Sequence, residues 1–188
     1  MSSSPPLDVG NLASSDVAVR VASAAEIYNQ GLALTRSVVS SWVVDREFSR
    51  LLGEQPFVTV GVAVFPSTFA RIRQVNGSLR LAAVPADLDA EEFELHFPNK
   101  ISLDILTSRD PKGEGAIARY LKRFGEGIQQ VEYRCTDVDR ATAILKQSFG
   151  IAPVYPQARP GADGTRVNFF LVPAPAGGKV LIELYAVP

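Results

Sequence analysis

The chain has 188 residues, enough for one domain of ordinary size plus an appendage; 46% are apolar, and nineteen Lys and Arg stand against twenty Asp and Glu, a net charge of -1. No block of like charge stands out, which argues against a nucleic-acid-binding face, and no apolar run approaches the roughly 20 residues of a membrane span. The single cysteine, Cys135, excludes an internal disulfide and fits a reducing, cytoplasmic setting, and residues 1–16 lack the basic cluster and apolar core of a secretory signal.

Residues 1–15 are rich in Ser and Pro and are expected to fray. Between residues 16 and 53, Ala24, Ile27, Tyr28, Leu32, Leu34, Val38, Trp42, Phe48 and Leu51 recur at roughly helical spacing. This predicts helices that pack on the main domain, with Gly31 separating two pieces. Val17, Val19 and Val21 alternate, which is the competing strand signal. Residues 1–55 are thus read as an N-terminal extension and 56–188 as the main domain.

Residues 57–65 form a β-branched, apolar strand candidate. Pro66 and Ser67 open a short helix that Asn76-Gly77 closes. Strands are expected at 79–84, 92–97 and 101–106, the last two joined as a hairpin around Pro98-Asn99-Lys100. A helix over 115–124 follows, carrying Ile117, Tyr120 and Leu121 on one face. The second half repeats the plan: strand 127–135, helix 137–147, strand 152–155, a Gly/Pro loop at 158–164, and a hairpin of 167–172 with 179–187. The fold class is therefore α+β, with two tandem β-α-β-β-β modules at about 57–107 and 127–187. Each module is too small to bury its sheet alone, so the two should pair into a curved sheet around a shared cleft.

Three stretches resemble methylmalonyl-CoA epimerase, of the vicinal oxygen chelate (glyoxalase-like) superfamily. They are residues 117–131, ending in Gly127-Ile128-Gln129-Gln130-Val131; residues 159–169; and residues 177–184, ending in Leu181-Ile182-Glu183-Leu184. The opening strand Val58-Thr59-Val60-Gly61-Val62 matches more loosely. The resemblance implies four metal-ligand positions, two per module. Here they hold Thr59, where the family has His; Asp104, for Gln or Glu; Gln130, for a second His; and Glu183, for Glu. It implies an opposing base as well, for which Glu94 is the nearest match.

Epimerisation of a 2-acyl thioester removes an acidic C–H and returns the proton to the other face, which two carboxylates can do as base and acid. The resemblance thus implies Glu94, Asp104 and Glu183 as catalytic groups. A three-residue turn would set Glu94 opposite Asp104 and place His96 on the same face, with Phe93, Leu95 and Phe97 on the other. Thr59, Gln130 and His96 are the candidate substrate-binding residues. Asp104 and Glu183 are the remaining metal candidates, and their oxygens suit Mg²⁺ or Mn²⁺, with Co²⁺ also open, better than Zn²⁺. A hydrogen-bonded structural histidine is the plainer reading of His96, and a solvated strand start is an equal reading of Glu91, Glu92 and Glu94. Asp104 and Glu183 interrupt apolar strands, where an unpaired acid is costly, and this favours a role in the cleft.

Two functions remain open at this stage. One is an isomerase or lyase acting on a carbonyl or acyl-thioester substrate through an enolate. The other is a binding protein that sequesters a small molecule in the same cleft. The expected partner is a small-molecule carbonyl or acyl-CoA-type substrate, and a homodimer is left open.

Overall fold

The computed structural model describes residues 7–175 and 177–188. Helix α1 (Val17–Trp42) starts at Asp16, whose side chain accepts from the Ala18 N–H, and α2 (Arg46–Leu52) starts at Asp45, which accepts from Glu47 and Phe48. Strand β1 (Val58–Ala63) leads into α3 (Pro66–Val75), with proline at its first position, where a missing N–H costs nothing. Strands β2 (Glu91–Phe97) and β3 (Ile101–Thr107) form the expected hairpin, and α4 (Ala116–Phe124) joins the modules. Strand β4 (Gly127–Arg134) is followed by α5 (Val138–Phe149), which Asp137 caps and left-handed Gly150 ends. Strands β5 (Arg159–Pro160), β6 (Arg166–Pro173) and β7 (Lys179–Ala186) complete the chain.

The seven strands make one curled sheet in the order β2-β3-β1-β4-β7-β6-β5. Strand β1 runs parallel to β3, β4 runs parallel to β7, and β1 and β4 meet antiparallel at the centre. The two modules therefore repeat one plan about an axis between β1 and β4, as the tandem reading requires.

Alternation divides the sheet into two faces. Val60, Val62, Leu103, Ile105, Val131, Ile182 and Leu184 point outward into the main core, together with Ala24, Ile27 and Trp42 of α1. The N-terminal helix thus shares the core of the sheet. Gly31 does not divide α1. It is the point of closest approach to the sheet: a Cβ there would lie 2.5 Å from Val60 Cγ2. One turn on, the Thr35 and Tyr133 hydroxyls meet at 2.7 Å in the buried interface.

Three local expectations are corrected. Residues 7–15 do not fray as a whole: a 3-10 turn, Val9–Ala13, buries Val9 and Leu12, and Asn76 donates to the Leu12 carbonyl. The remainder of that expectation, residues 1–6, lies outside the described residues. Residues 79–84 are extended but form no strand. Ala83 spends its N–H and C=O on Asp163, in the other module, instead of on a ladder. Residues 152–155 make only an isolated bridge, because Pro153 has no N–H and the Asn168 side chain takes up both backbone groups of Tyr155.

Candidate active site

The inner face of the sheet carries the acids. Register sets two adjacent rows across it. The first runs Glu94, Asp104, Gly61, Gln130, Leu181, Leu171. The second runs Phe169, Glu183, Glu132, Thr59, Ser102, His96, where Ser102 is the inner-face residue next to Thr59. The axis between the modules exchanges the rows, so Asp104 corresponds to Glu183, Gln130 to Thr59, Glu132 to Gly61 and Glu94 to Phe169. The symmetry is one of backbone and breaks in chemistry: module one presents Glu92 and Glu94 where module two presents Val167 and Phe169.

A cavity of about 670 Å³ stands on this face, and Glu92, Glu94, Asp104, Gln130, Glu132 and Glu183 line it. Its roof is made by the irregular segments 79–90 and 154–165, one from each module. Arg80 pairs with Asp163 at 2.6 Å and Arg159 pairs with Asp87, so the clasp joins the two segments. Helix α4 closes one end, with Ile117 and Leu121 packed on Ala63 and Leu106.

The Gln130 amide organises the floor. Its Nε2 donates to Glu132 Oε1 at 3.1 Å and to Glu183 Oε2 at 2.8 Å. The Gln130 and Glu132 side chains lean over Gly61, where a Cβ would lie 2.5 Å from Gln130 Cγ, so this position requires glycine. Asp104 is 6% exposed and its Oδ1 has no hydrogen-bond partner.

Burial and mutual repulsion hold these acids protonated far above the ordinary carboxyl range. Burial pushes Glu132 up to about 8, with Glu92 and Glu94 adding like charge and the Gln130 bond opposing. Burial and then Glu94 push Glu92 up to about 7. Asp104 is raised by burial first, then by Glu92, Glu132, Glu94 and Glu183. Glu183 is raised by burial, then by Glu132 and Glu92, against the Gln130 bond. Groups this close share protons instead of titrating singly.

Of the residues singled out from sequence, the structure brings Glu94, Asp104, Gln130 and Glu183 to the cavity. Thr59 and His96 are not among its lining residues. Thr59 is fully buried and donates to Ser102 at 3.3 Å, within hydrogen-bonding reach of Tyr185. His96 is exposed on the edge strand, 3.0 Å from Glu94 Oε2 through Nε2 and 3.3 Å from Ser102 Oγ through Nδ1. Its ring ties Glu94 to the strand edge. Sequence reasoning missed Glu132 altogether and named Glu92 only within the alternative of a solvated strand start. The available signal for Glu132 was alternation: it lies two residues from Gln130, flanked by Val131 and Tyr133, so it shares the face of Gln130.

No family model and no curated protein matches the sequence. Solved structures do. Methylmalonyl-CoA epimerase from Mycobacterium tuberculosis superposes with a TM-score of 0.56 at 30% identity, covering 74% of this chain and 96% of that one. The chain belongs to the methylmalonyl-CoA epimerase family. More distant structures share the fold. A variant of the Streptomyces coelicolor methylmalonyl-CoA epimerase in complex with 2-nitronate-propionyl-CoA has a TM-score of 0.54 at 18% identity, over 70% of this chain and 96% of that one. A hypothetical protein from Bacillus halodurans C-125 has a TM-score of 0.55 at 19% identity, over 69% and 92%. No helix among the described residues is long and apolar enough to cross a membrane.

The four positions that the methylmalonyl-CoA epimerase resemblance assigns to metal ligands form two symmetry-related pairs, Thr59 with Gln130 and Asp104 with Glu183. The hydroxyl of Thr59 donates to Ser102, and the Gln130 NH₂ faces two carboxylates. Among the described residues no three His, Cys, Asp or Glu side chains are disposed to hold a metal ion.

Proposed function

We propose that the protein is an epimerase-like isomerase that moves a proton at the carbon next to a thioester or ketone carbonyl, through an enolate. The observation that carries this reading is the pair Asp104 and Glu183. These two acids occupy equivalent places in the two modules, line one cavity, and are both shifted toward neutrality. A proton can leave one face of a substrate held between them and return to the other. One group, ionised, takes the proton from C2, and the C–H bonding pair moves toward the carbonyl oxygen. The other, protonated, delivers a proton to C2 from the opposite side. Glu94 stands beside Asp104 in register and serves as its partner at the mouth of the cavity.

The enolate oxygen needs a donor. Glu132, with its affinity for a proton raised to about 8, is a neutral acid at pH 7 and can donate a hydrogen bond while its other oxygen accepts from Gln130. Family resemblance implies a divalent metal in this role. The donor set does not fit a tightly held transition-metal ion, because two imidazole positions hold a committed hydroxyl and an amide whose NH₂ faces carboxylates. Proton transfer therefore falls to the acids of the cavity. Positioned acid–base groups of this kind contribute on the order of 10²–10⁴ in rate.

The test is deuterium incorporation at C2 of 2-methyl-branched acyl thioesters in D₂O, followed by NMR. Asp104→Asn and Glu183→Gln should each abolish exchange while substrate still binds. Exchange that survives both substitutions would remove the pair from the mechanism.

A further inference from the structure

The cavity has a chemical polarity that the fold symmetry does not require. Symmetry-related positions hold Glu92 and Glu94 in module one and Val167 and Phe169 in module two. With Asp104, Glu132 and Glu183, five acid side chains stand on the sheet side of the cavity, and Asp87, Asp89 and Asp163 line its roof. The apolar wall is continued by Val154, Tyr155 and Leu181. The cations that line the cavity are Arg80, Arg119 and Arg159, and all belong to the roof segments or α4. Two of them are already paired, Arg80 with Asp163 and Arg159 with Asp87. Arg119 is exposed and donates to the Glu114 carbonyl.

A carboxylate carried on C2 of the substrate would enter among acids and find no cation on the floor. Whichever of the acids is ionised, the newcomer adds like charge in a place shielded from water, where such repulsion is strong. An apolar substituent meets Phe169, Val167 and Leu181 instead and gains by leaving water. Asp104 lines the cavity, and its buried Oδ1 has no hydrogen-bond partner in the protein. While Asp104 is ionised, a second carboxylate brings it no donor.

From this arrangement we infer that the substrate presents an uncharged, apolar substituent at C2, a neutral 2-branched acyl or 3-oxoacyl thioester, and that malonyl-type acyl groups are disfavoured. This inference rests on the reading of the site as one that handles acyl thioesters. Anionic parts of such a substrate remain outside, near the arginines of the rim.

The experiment compares equilibrium binding of 2-methylbutanoyl-CoA and methylmalonyl-CoA to the full chain by calorimetry, with C2 deuterium exchange followed in parallel. The neutral thioester should bind at least about tenfold more tightly. Glu92→Gln with Glu94→Gln should narrow the gap by strengthening methylmalonyl-CoA binding, and Phe169→Arg should reverse it. Equal or tighter binding of methylmalonyl-CoA to the unmodified protein overturns the inference, as does failure of 2-methylbutanoyl-CoA to bind at millimolar concentration. If the preference holds but no deuterium enters either compound, the proton-transfer reading fails and the selectivity stands.

Discussion

Glu132 and Glu183 lie directly opposite each other on neighbouring parallel strands and are held together by one amide, that of Gln130. Two carboxylates in register would repel, and like charges across a sheet destabilise it. The NH₂ group of Gln130 offers one N–H to each acid and so makes the pair tolerable. It also lowers the proton affinity of both, against the larger effect of burial.

Replacing Gln130 with Leu removes that donor while keeping bulk. The proton affinity of Glu132 and Glu183 then rises further, and a higher pH is needed to ionise whichever group acts as base. The acidic limb of the exchange rate against pH should move to higher pH, with a loss at pH 7 of about tenfold or more. Rates measured from pH 5 to 10 on the variant and the parent decide the matter. An unchanged midpoint would show that neither carboxylate is the base.

The same cluster sets the pH dependence of stability. Glu92 and Glu132 hold protons up to about 7 and about 8 when folded, against 4.5 when unfolded. Between those limits the folded chain binds more protons than the unfolded one, so stability falls as pH rises from about 5 to about 8. Glu47, Asp139 and Asp163, lowered mainly by Arg140, Arg166 and Arg80, act with the opposite sign but only at more acidic pH. The melting temperature should drop by about 10 °C or more between pH 5.5 and 8.5, given ~1.4 kcal/mol per pH unit for each such group and ~2–4 °C per kcal/mol for a chain of this size. Glu132→Gln should flatten the curve. A melting temperature constant across this range would mean that the acids find a counter-charge in solution.

Much of the fold could be read from the sequence because alternation and turn chemistry are local signals. The β2–β3 hairpin shows this. Phe93 and Leu95 declare the core face, and the turn at residues 98–100 fixes Glu94 opposite Asp104. The strands that failed to form, near residues 79–84 and 152–155, have the right composition, yet their backbone groups bond to the side chains of Asp163, in the other module, and Asn168, thirteen residues on. Nothing in a local window reports that. Asp104 and Glu183 stood out because each interrupts an apolar strand. Glu132 does the same between Val131 and Tyr133, but its neighbourhood drew attention to Gln130, and the contact that joins the two is a side-chain bond across one strand face. Thr59 shares the face of Glu132, its partner in register, but it is fully buried and bonded to Ser102, more than forty residues on, which no local window reports.

Gly31 illustrates how the N-terminal helix is tied to this site. It lies within α1 at the point where the helix meets Val60, on the outer face of the central strand. Gly31→Ala gains about 1 kcal/mol of helix propensity but drives a methyl group into Val60, and overpacking of this kind costs about 1–3 kcal/mol. The variant should be net destabilised by about 1 kcal/mol in urea unfolding. Adding Val60→Ala should recover part of the loss, because the two residues share one contact. If Gly31→Ala stabilises the protein, α1 does not sit as closely on the sheet as this distance requires.

Finally, Thr59→His and Gln130→His, made together, should raise the affinity of the site for a divalent metal. The two positions are related by the axis between the modules, as are Asp104 and Glu183, so the double variant supplies two imidazoles and two carboxylates around one point. Imidazole nitrogen is a far better ligand for Co²⁺ than a hydroxyl or an amide oxygen. Histidine at position 59 must make room where Thr59 is fully buried, so the double variant should melt lower than the parent in the absence of metal and recover when Co²⁺ is added. Cobalt absorption bands and the shift in melting temperature both report binding without relying on activity. The double variant should bind Co²⁺ at least about tenfold more tightly than either single variant, and C2 exchange on methylmalonyl-CoA should rise with it, because the metal offsets the like charge of the acids. Equal affinity in single and double variants would mean that the two positions do not converge on one ion. Robust, metal-stimulated epimerisation of methylmalonyl-CoA by the unmodified protein would show that Asp104, Glu132 and Glu183 assemble a working metal site with no histidine at all.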